Sequence, residues 1–194
     1  GYAGLKAAGV EVIHATASRL KAEKQQVTVG GKAISYDRLV VAPGISFRWN
    51  VIEGNNPRTE NLAPHAWQAG EQTLLLRRQL EAMPDGGIVA MSVPALPYRC
   101  PPGPYERASL IAHYLKQHKP KSKILILDAK DQFAKQAAFV RGWTERYGYG
   151  TPNSLIEWVP GNKGGKVIRI DAQQKTAYGE VDVFNADVLN VIPP

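Results

Sequence analysis

The sequence predicts an α/β protein, a parallel sheet interleaved with helices and carrying an antiparallel addition. Three observations predict it. From residue 87 onward, short apolar runs alternate with helical patterns: Ile88–Val93, Pro104–His118, Ile124–Leu127, Ala134–Tyr147 and Leu155–Val159. That order lays strands side by side with helices across them. Beyond residue 160 the spacing tightens, and Lys166–Ile170 and Thr176–Val183 read as strands of a meander. The segment 104–118 carries Ala108, Ile111, Ala112 and Leu115 at i, i+3, i+4 and i+7, one apolar stripe suited to packing on a sheet.

The elements follow in order. Gly1 to Gly9 reads as the end of a helix that Gly9 stops. Val10–His14 alternates like a short strand. Gln26–Val29 and Ala33–Tyr36 flank Gly30-Gly31-Lys32, a tight hairpin loop. Tyr36 to Gly44 predicts a short buried strand ending in a turn. Ile45 to Gly70 is mostly loop, broken by Asn55-Asn56-Pro57 and Ala63-Pro64. Glu71–Met83 predicts a helix with Leu75, Leu76, Gln79 and Leu80 near one face, ended by Pro84-Asp85-Gly86-Gly87. In the 104–118 helix, Pro104 suits the first position and Glu106 suits the positive end of the dipole. The helix 134–147 stops at Gly148, and Ala186–Ile192 is a last apolar strand before Pro193-Pro194.

Composition narrows the function classes. A chain of 194 residues holds one large or two small domains. The net charge of +7 is scattered apart from Lys116–Lys123. With no aromatic–basic motif beside it, this charge reads as a solvated surface or a face for an acidic protein partner, not as a nucleic-acid site. No apolar run reaches the roughly 18 residues of a membrane span. The four histidines (His14, His65, His113, His118) are dispersed and make a poor metal site.

The chemistry concentrates at the only cysteine. Cys100 lies in a loop between the strand 88–93 and the helix from 104, where open α/β folds place their sites. Glycines would fill that loop in a nucleotide-binding protein, because their backbone N–H groups approach a pyrophosphate. Here five prolines stand between positions 94 and 104, and proline has no N–H to donate. Asp128 ends the next strand where a ribose-binding acid would sit, which alone is weak support for NAD. Arg99 and a helix start both bring positive charge to the thiol, a setting that suits a reactive cysteine. A buried, inert cysteine is the other reading. Glu106 serves either proton exchange or the helix dipole. Trp49, Trp67, Trp143 and Trp158 read as packing residues, with Trp67 in Pro64-His65-Ala66-Trp67 left open.

Several runs carry a resemblance. Tyr36-Asp37-Arg38-Leu39-Val40-Val41-Ala42-Pro43-Gly44, following a hairpin, resembles an element of flavoproteins with two Rossmann-like dinucleotide-binding domains. Pro64-His65-Ala66-Trp67, and above all Arg99-Cys100-Pro101-Pro102-Gly103-Pro104-Tyr105-Glu106-Arg107-Ala108-Ser109, resemble a narrower group. That group is the flavoprotein subunit of flavocytochrome c sulfide dehydrogenase. Lys119-Pro120, Ile156-Glu157-Trp158 and the run 186–194 are similar too.

The resemblance implies FAD- and NAD-type Rossmann-like domains. It implies a division into 1–83, the tail of an incomplete first FAD half with a linker, and 84–194, an NAD-like domain. It implies FAD as cofactor, with Ala42, Pro43, Gly44 and Trp67 as contacts, and a c-type cytochrome subunit as periplasmic partner. Cys100 matches the first of two redox cysteines that form a disulfide attacked by sulfide to give a persulfide, and Glu106 matches a proton-handling glutamate. The family's Gly-x-Gly-x-x-Gly and flavin-bonding cysteine would precede this segment, and its second redox cysteine would follow it. The segment alone is then expected to bind FAD weakly or not at all and to leave sulfide unoxidised. Two rivals stand beside this reading. One is a related flavoprotein that reduces quinone, the other a non-catalytic NAD-like interaction module.

Overall fold

The computed structural model describes residues 2–194. It contains two compact units, Gly1–Gly44 and Ile45–Pro194. Residues 45–83 belong to the second, because Ile52, Ala63, Ala66, Leu76 and Met83 are buried in the same clusters as the strands that follow. The compact units divide at Gly44.

In the first unit, helix α1 (Ala3–Ala7) is followed by Gly9 in a left-handed conformation. A three-stranded antiparallel sheet comprises β1 (Ala17–Lys21), β2 (Gln26–Val29) and β3 (Lys32–Ser35) in sequence order. The hairpin between β2 and β3 turns on Gly30 and Gly31, at φ +54° and +82°. Those angles are why glycine is needed in a two-residue turn.

Two expectations fail in this unit. The first strand lies at 17–21 and not at 10–14, because the β2 register runs from Lys21↔Gln26 back to Ala17↔Val29 and extends no further. Nor do residues 36–44 form a buried strand. Among the described residues no strand pairs with them, and Val40 and Val41 are 90% and 66% exposed. A strand exists through its ladder, and β-propensity without a partner does not supply one.

The second unit is built on a four-stranded parallel sheet of order β10-β4-β5-β6. Its strands are β4 (Ile88–Val93), β5 (Lys123–Asp128), β6 (Ile156–Val159) and β10 (Val188–Val191). The helices α2 (Glu71–Ala82), α3 (Gly103–His118) and α4 (Gln136–Tyr147) contribute Leu76, Ile111 and Trp143 to one cluster with Val89, Met91 and Val93 of β4. The expected α3 stripe of Ala108, Ile111, Ala112 and Leu115 is buried throughout. Truncating Leu115 to Ala there would cost about 3 kcal/mol. Gly148, left-handed at φ +67°, ends α4.

The meander is a separate sheet of β7 (Arg169–Asp171), β8 (Thr176–Tyr178) and β9 (Val183–Asn185). It covers the opposite face, where Ile170 and Ala177 meet Ala90, Leu127, Leu189 and Val191. The segment 176–183 spans β8 and the start of β9, turned where the Gly179 N–H donates to the Asp182 carbonyl at 2.8 Å.

Two polar ties hold the frame. Asp187 joins β10 to β4 twice: its Oδ2 accepts from the Ile88 N–H, and its own N–H donates to the Ile88 carbonyl, each at 2.8 Å. The buried Lys119 ammonium donates to the Leu80 and Glu81 carbonyls at 2.7 Å and to that of Met83. A cation there satisfies carbonyls that the end of α2 leaves free and complements its dipole.

Candidate functional site

Strand order locates the site. From β4 the chain crosses by α3 to β5 on one side, and β10 pairs with β4 on the other. The loop after β4 therefore lies at the switch point, on the carboxyl end of the parallel strands. Pro94 is buried, and 95–102 climb out into solvent. The same loop lines a cleft of about 200 Å³ together with Ile52, Val167 and Ile168.

Cys100 is exposed and free in this chain, not buried. Its φ of +58° is left-handed, a conformation that costs a non-glycine residue of order 1 kcal/mol. The surrounding turn holds it there. The Gly103 N–H donates to the Cys100 carbonyl at 2.9 Å across Pro101 and Pro102, and α3 starts at once. Pro102 caps the helix, so Pro104 stands second and not first. The Tyr98 hydroxyl donates to the Pro101 carbonyl at 2.8 Å. Burial raises the Tyr98 pKa to about 12 and so keeps that donor protonated. The Lys130 ammonium lies 5.0 Å from the Tyr98 ring centroid and donates to the Pro94 carbonyl at 3.1 Å.

Asp128 does not offer itself to a ribose. It is wholly buried, and its Oδ2 accepts from the Tyr105 hydroxyl at 2.6 Å and from Trp158 Nε1 at 3.0 Å. Its Oδ1 accepts from the Lys130 N–H at 3.0 Å and from Lys130 Nζ at 2.6 Å. A carboxylate with four donors is saturated. This acid is therefore not free for an NAD ribose, and the prolines of the loop offer no N–H groups to a pyrophosphate.

Trp67 and Cys100 both border Gly103. A Cβ on Gly103 would stand 2.8 Å from Trp67 Cη2 and 3.1 Å from Cys100 Sγ. Glycine is required here for space, since any side chain would wedge the indole from the thiol.

The loop behind Trp67 is tied from every side. The Arg107 guanidinium lies 4.8 Å from the indole centroid and donates to the carbonyls of His65 at 2.8 Å and of Ala66. It also donates to Asn190 Oδ1 at 3.1 Å, while Asn190 Nδ2 donates to the Pro64 and His65 carbonyls at 2.6 and 3.0 Å. Gln72 Oε1 accepts from the His65 N–H at 3.0 Å. Burial lowers the Arg107 pKa to about 10, which still leaves it charged at neutral pH. No carboxylate pairs with it among the described residues, so carbonyl oxygens carry its solvation.

His65 completes the support. Its Nδ1 accepts from the Trp67 N–H at 2.9 Å, which leaves the proton of the neutral ring on Nε2, 3.4 Å from Glu60. Burial lowers its pKa, Arg107 adds to that effect, and Glu60 opposes it.

Glu106 is exposed in the first turn of α3, and its N–H donates to the Pro102 carbonyl at 3.1 Å. Ala42, Pro43 and Gly44 lie exposed in the first unit. Gly44, at φ +85°, has open space where a Cβ would stand. Sequence reasoning missed Arg107 and His65. Arg107 had a signal: it stands four residues before Ile111, on the edge of the buried stripe.

Among the described residues no helix is long and apolar enough to cross a membrane. A family described as the sulfide dehydrogenase (flavocytochrome c) flavoprotein chain, central region, matches residues 73–193. The match spans β4 through β10 and so contains Cys100, Gly103, Glu106 and Arg107.

Proposed function

The chain belongs to the family of the flavocytochrome c sulfide dehydrogenase flavoprotein chain, and on that premise we propose that it is the part of a flavin-dependent sulfide dehydrogenase that carries the sulfide-oxidising Cys100, the electrons passing through FAD to a c-type cytochrome. The observation that carries this reading is the exposed thiol at the switch point, held in a left-handed turn against Trp67. A site for a small nucleophile needs an accessible sulfur in a fixed position, and a proline turn at a helix start provides both.

As the family resemblance implies, the reactive form is a disulfide between Cys100, the only cysteine of these 194 residues, and a cysteine outside them. Hydrosulfide attacks one sulfur of that bond. A new S–S bond forms, the old one breaks, and the displaced sulfur leaves as thiolate, so the products are one persulfide and one thiolate. The Glu106 carboxylate takes the proton that hydrogen sulfide gives up on becoming hydrosulfide. When bound, FAD would accept the two electrons released as the disulfide re-forms and the outer persulfide sulfur leaves, at the oxidation level of elemental sulfur, to a second hydrosulfide. This reading assigns Ala42, Pro43 and Gly44 as FAD contacts in the first unit and Trp67 as the contact in the second. A periplasmic setting, where a disulfide persists, belongs to the same reading.

The test is the visible spectrum of the protein purified with its flavin. Sulfide should bleach the flavin band in the wild type and leave it unchanged in Cys100→Ser. Bleaching of the variant at the wild-type rate would overturn the proposal.

A further inference from the structure

We infer that Trp67 is the residue that limits the size of reactants at Cys100, and that Arg107 is its positioning residue. The inference rests on the reading of Cys100 as the reacting sulfur and adds what selects its partner. Trp67 Cη2 and Cys100 Sγ both border Gly103, 2.8 and 3.1 Å from where its Cβ would stand, too close for a methyl group to fit, so the indole stands on one side of the thiol. The thiol stays exposed on its remaining sides. A reactant no larger than hydrosulfide needs only those open sides. A bulky thiol or disulfide, approaching along the S–S axis with its substituents, must also occupy the space the indole fills.

A wall selects only if it cannot swing away, and this one is over-determined. Ala66, just before it, is held at φ +47°, a left-handed conformation that a non-glycine residue keeps only under constraint. The constraint is a ring of hydrogen bonds: Arg107 and Asn190 donate to the carbonyls of residues 64–66, the His65 N–H donates to Gln72 Oε1, and the Trp67 N–H donates to His65. Arg107 belongs to α3, the helix that carries Gly103 at its start. One rigid element thus sets both the floor between indole and thiol and the cation over the indole. Asn190, in the middle of β10, is wholly buried and spends its amide on the same loop. A polar side chain in a strand core makes sense as the anchor of that loop.

The test uses the 194-residue chain, whose single thiol is Cys100, and two reagents: methyl methanethiosulfonate, which is small, and 5,5′-dithiobis(2-nitrobenzoate), which is bulky. Trp67→Ala should raise the bulky-reagent rate about tenfold, the order of discrimination a shaped apolar wall provides, and move the small-reagent rate by less than about twofold. Trp67→Phe should stay near wild type, and Arg107→Met should raise the bulky rate alone. Equal changes in both rates, or no change in either, would overturn the inference. A second readout does not depend on the alanine variant. Methylthiolation of Cys100 should alter tryptophan emission in the wild type and not in Trp67→Phe; the same alteration in both would overturn it. Neither readout involves sulfide, so loss of the sulfide proposal through Cys100→Ser is distinguishable from loss of this one.

Discussion

Tyr105 donates its hydroxyl proton to Asp128 at 2.6 Å where both side chains are wholly buried. The pair joins the first turn of α3 to the end of β5, and so fixes the helix start that carries the Cys100 turn. Burial and the neighbouring carboxylate push the Tyr105 pKa far above the usual range. Tyr105→Phe should cost about 2 kcal/mol, the worth of a hydrogen bond to a charged group, read as a lower urea midpoint at an unchanged m-value. In an alkaline titration followed by phenolate absorbance, Tyr98 should ionise only near about 12. Ionisation of all eight tyrosines together near pH 10, their ordinary range, would contradict this.

Gly103 has no room for a methyl group. Gly103→Ala would bring a carbon to 2.8 Å from Trp67 Cη2 and 3.1 Å from Cys100 Sγ. The rigid helix start cannot yield, so the indole must move. The expected result is a loss of about 1–3 kcal/mol from overpacking, with a red shift of tryptophan emission as Trp67 gains water. An alanine variant with unchanged stability and emission would contradict the geometry.

His65 makes stability depend on pH. Its folded pKa lies below the ordinary 6.5, because burial disfavours the charged ring. As pH falls through 6.5 the unfolded chain takes up a proton that the folded chain refuses. Stability is therefore full above that value and declines toward the folded pKa. His65→Gln should flatten the dependence between pH 7.5 and 5.5 in urea unfolding. A wild-type midpoint that rises on acidification would have the wrong sign.

The Cys100 turn stores strain. At φ +58° a glycine is at ease and a cysteine is not. Cys100→Gly should unfold at higher temperature than Cys100→Ala, by the equivalent of about 1 kcal/mol. Both lack the thiol, so the comparison isolates the backbone. Equal melting temperatures would show the turn to be unstrained.

Local pattern was enough for β4, α3, β5 and the Gly148 stop, because their signals are written in neighbouring residues. Ala108, Ile111, Ala112 and Leu115 repeat at the helical period, and Ile88–Val93 is one apolar run. The run from Arg99 to Ser109 marked the family, since it is one contiguous stretch of sequence. Partners far apart in the chain were decided only by the tertiary structure. Whether Asp128 was free or saturated depended on Tyr105, Trp158 and Lys130 converging on it. That Trp67 stands against Cys100 depended on Arg107 and Asn190 bringing the 64–67 loop over α3. The same dependence undid the strand expected at 36–44, whose composition is right but which has no neighbour to pair with among the described residues. Periodicity sets what a segment can become, because it is a property of the chain itself. Pairing, saturation and close approach belong to contacts between distant segments, and only folding brings those together.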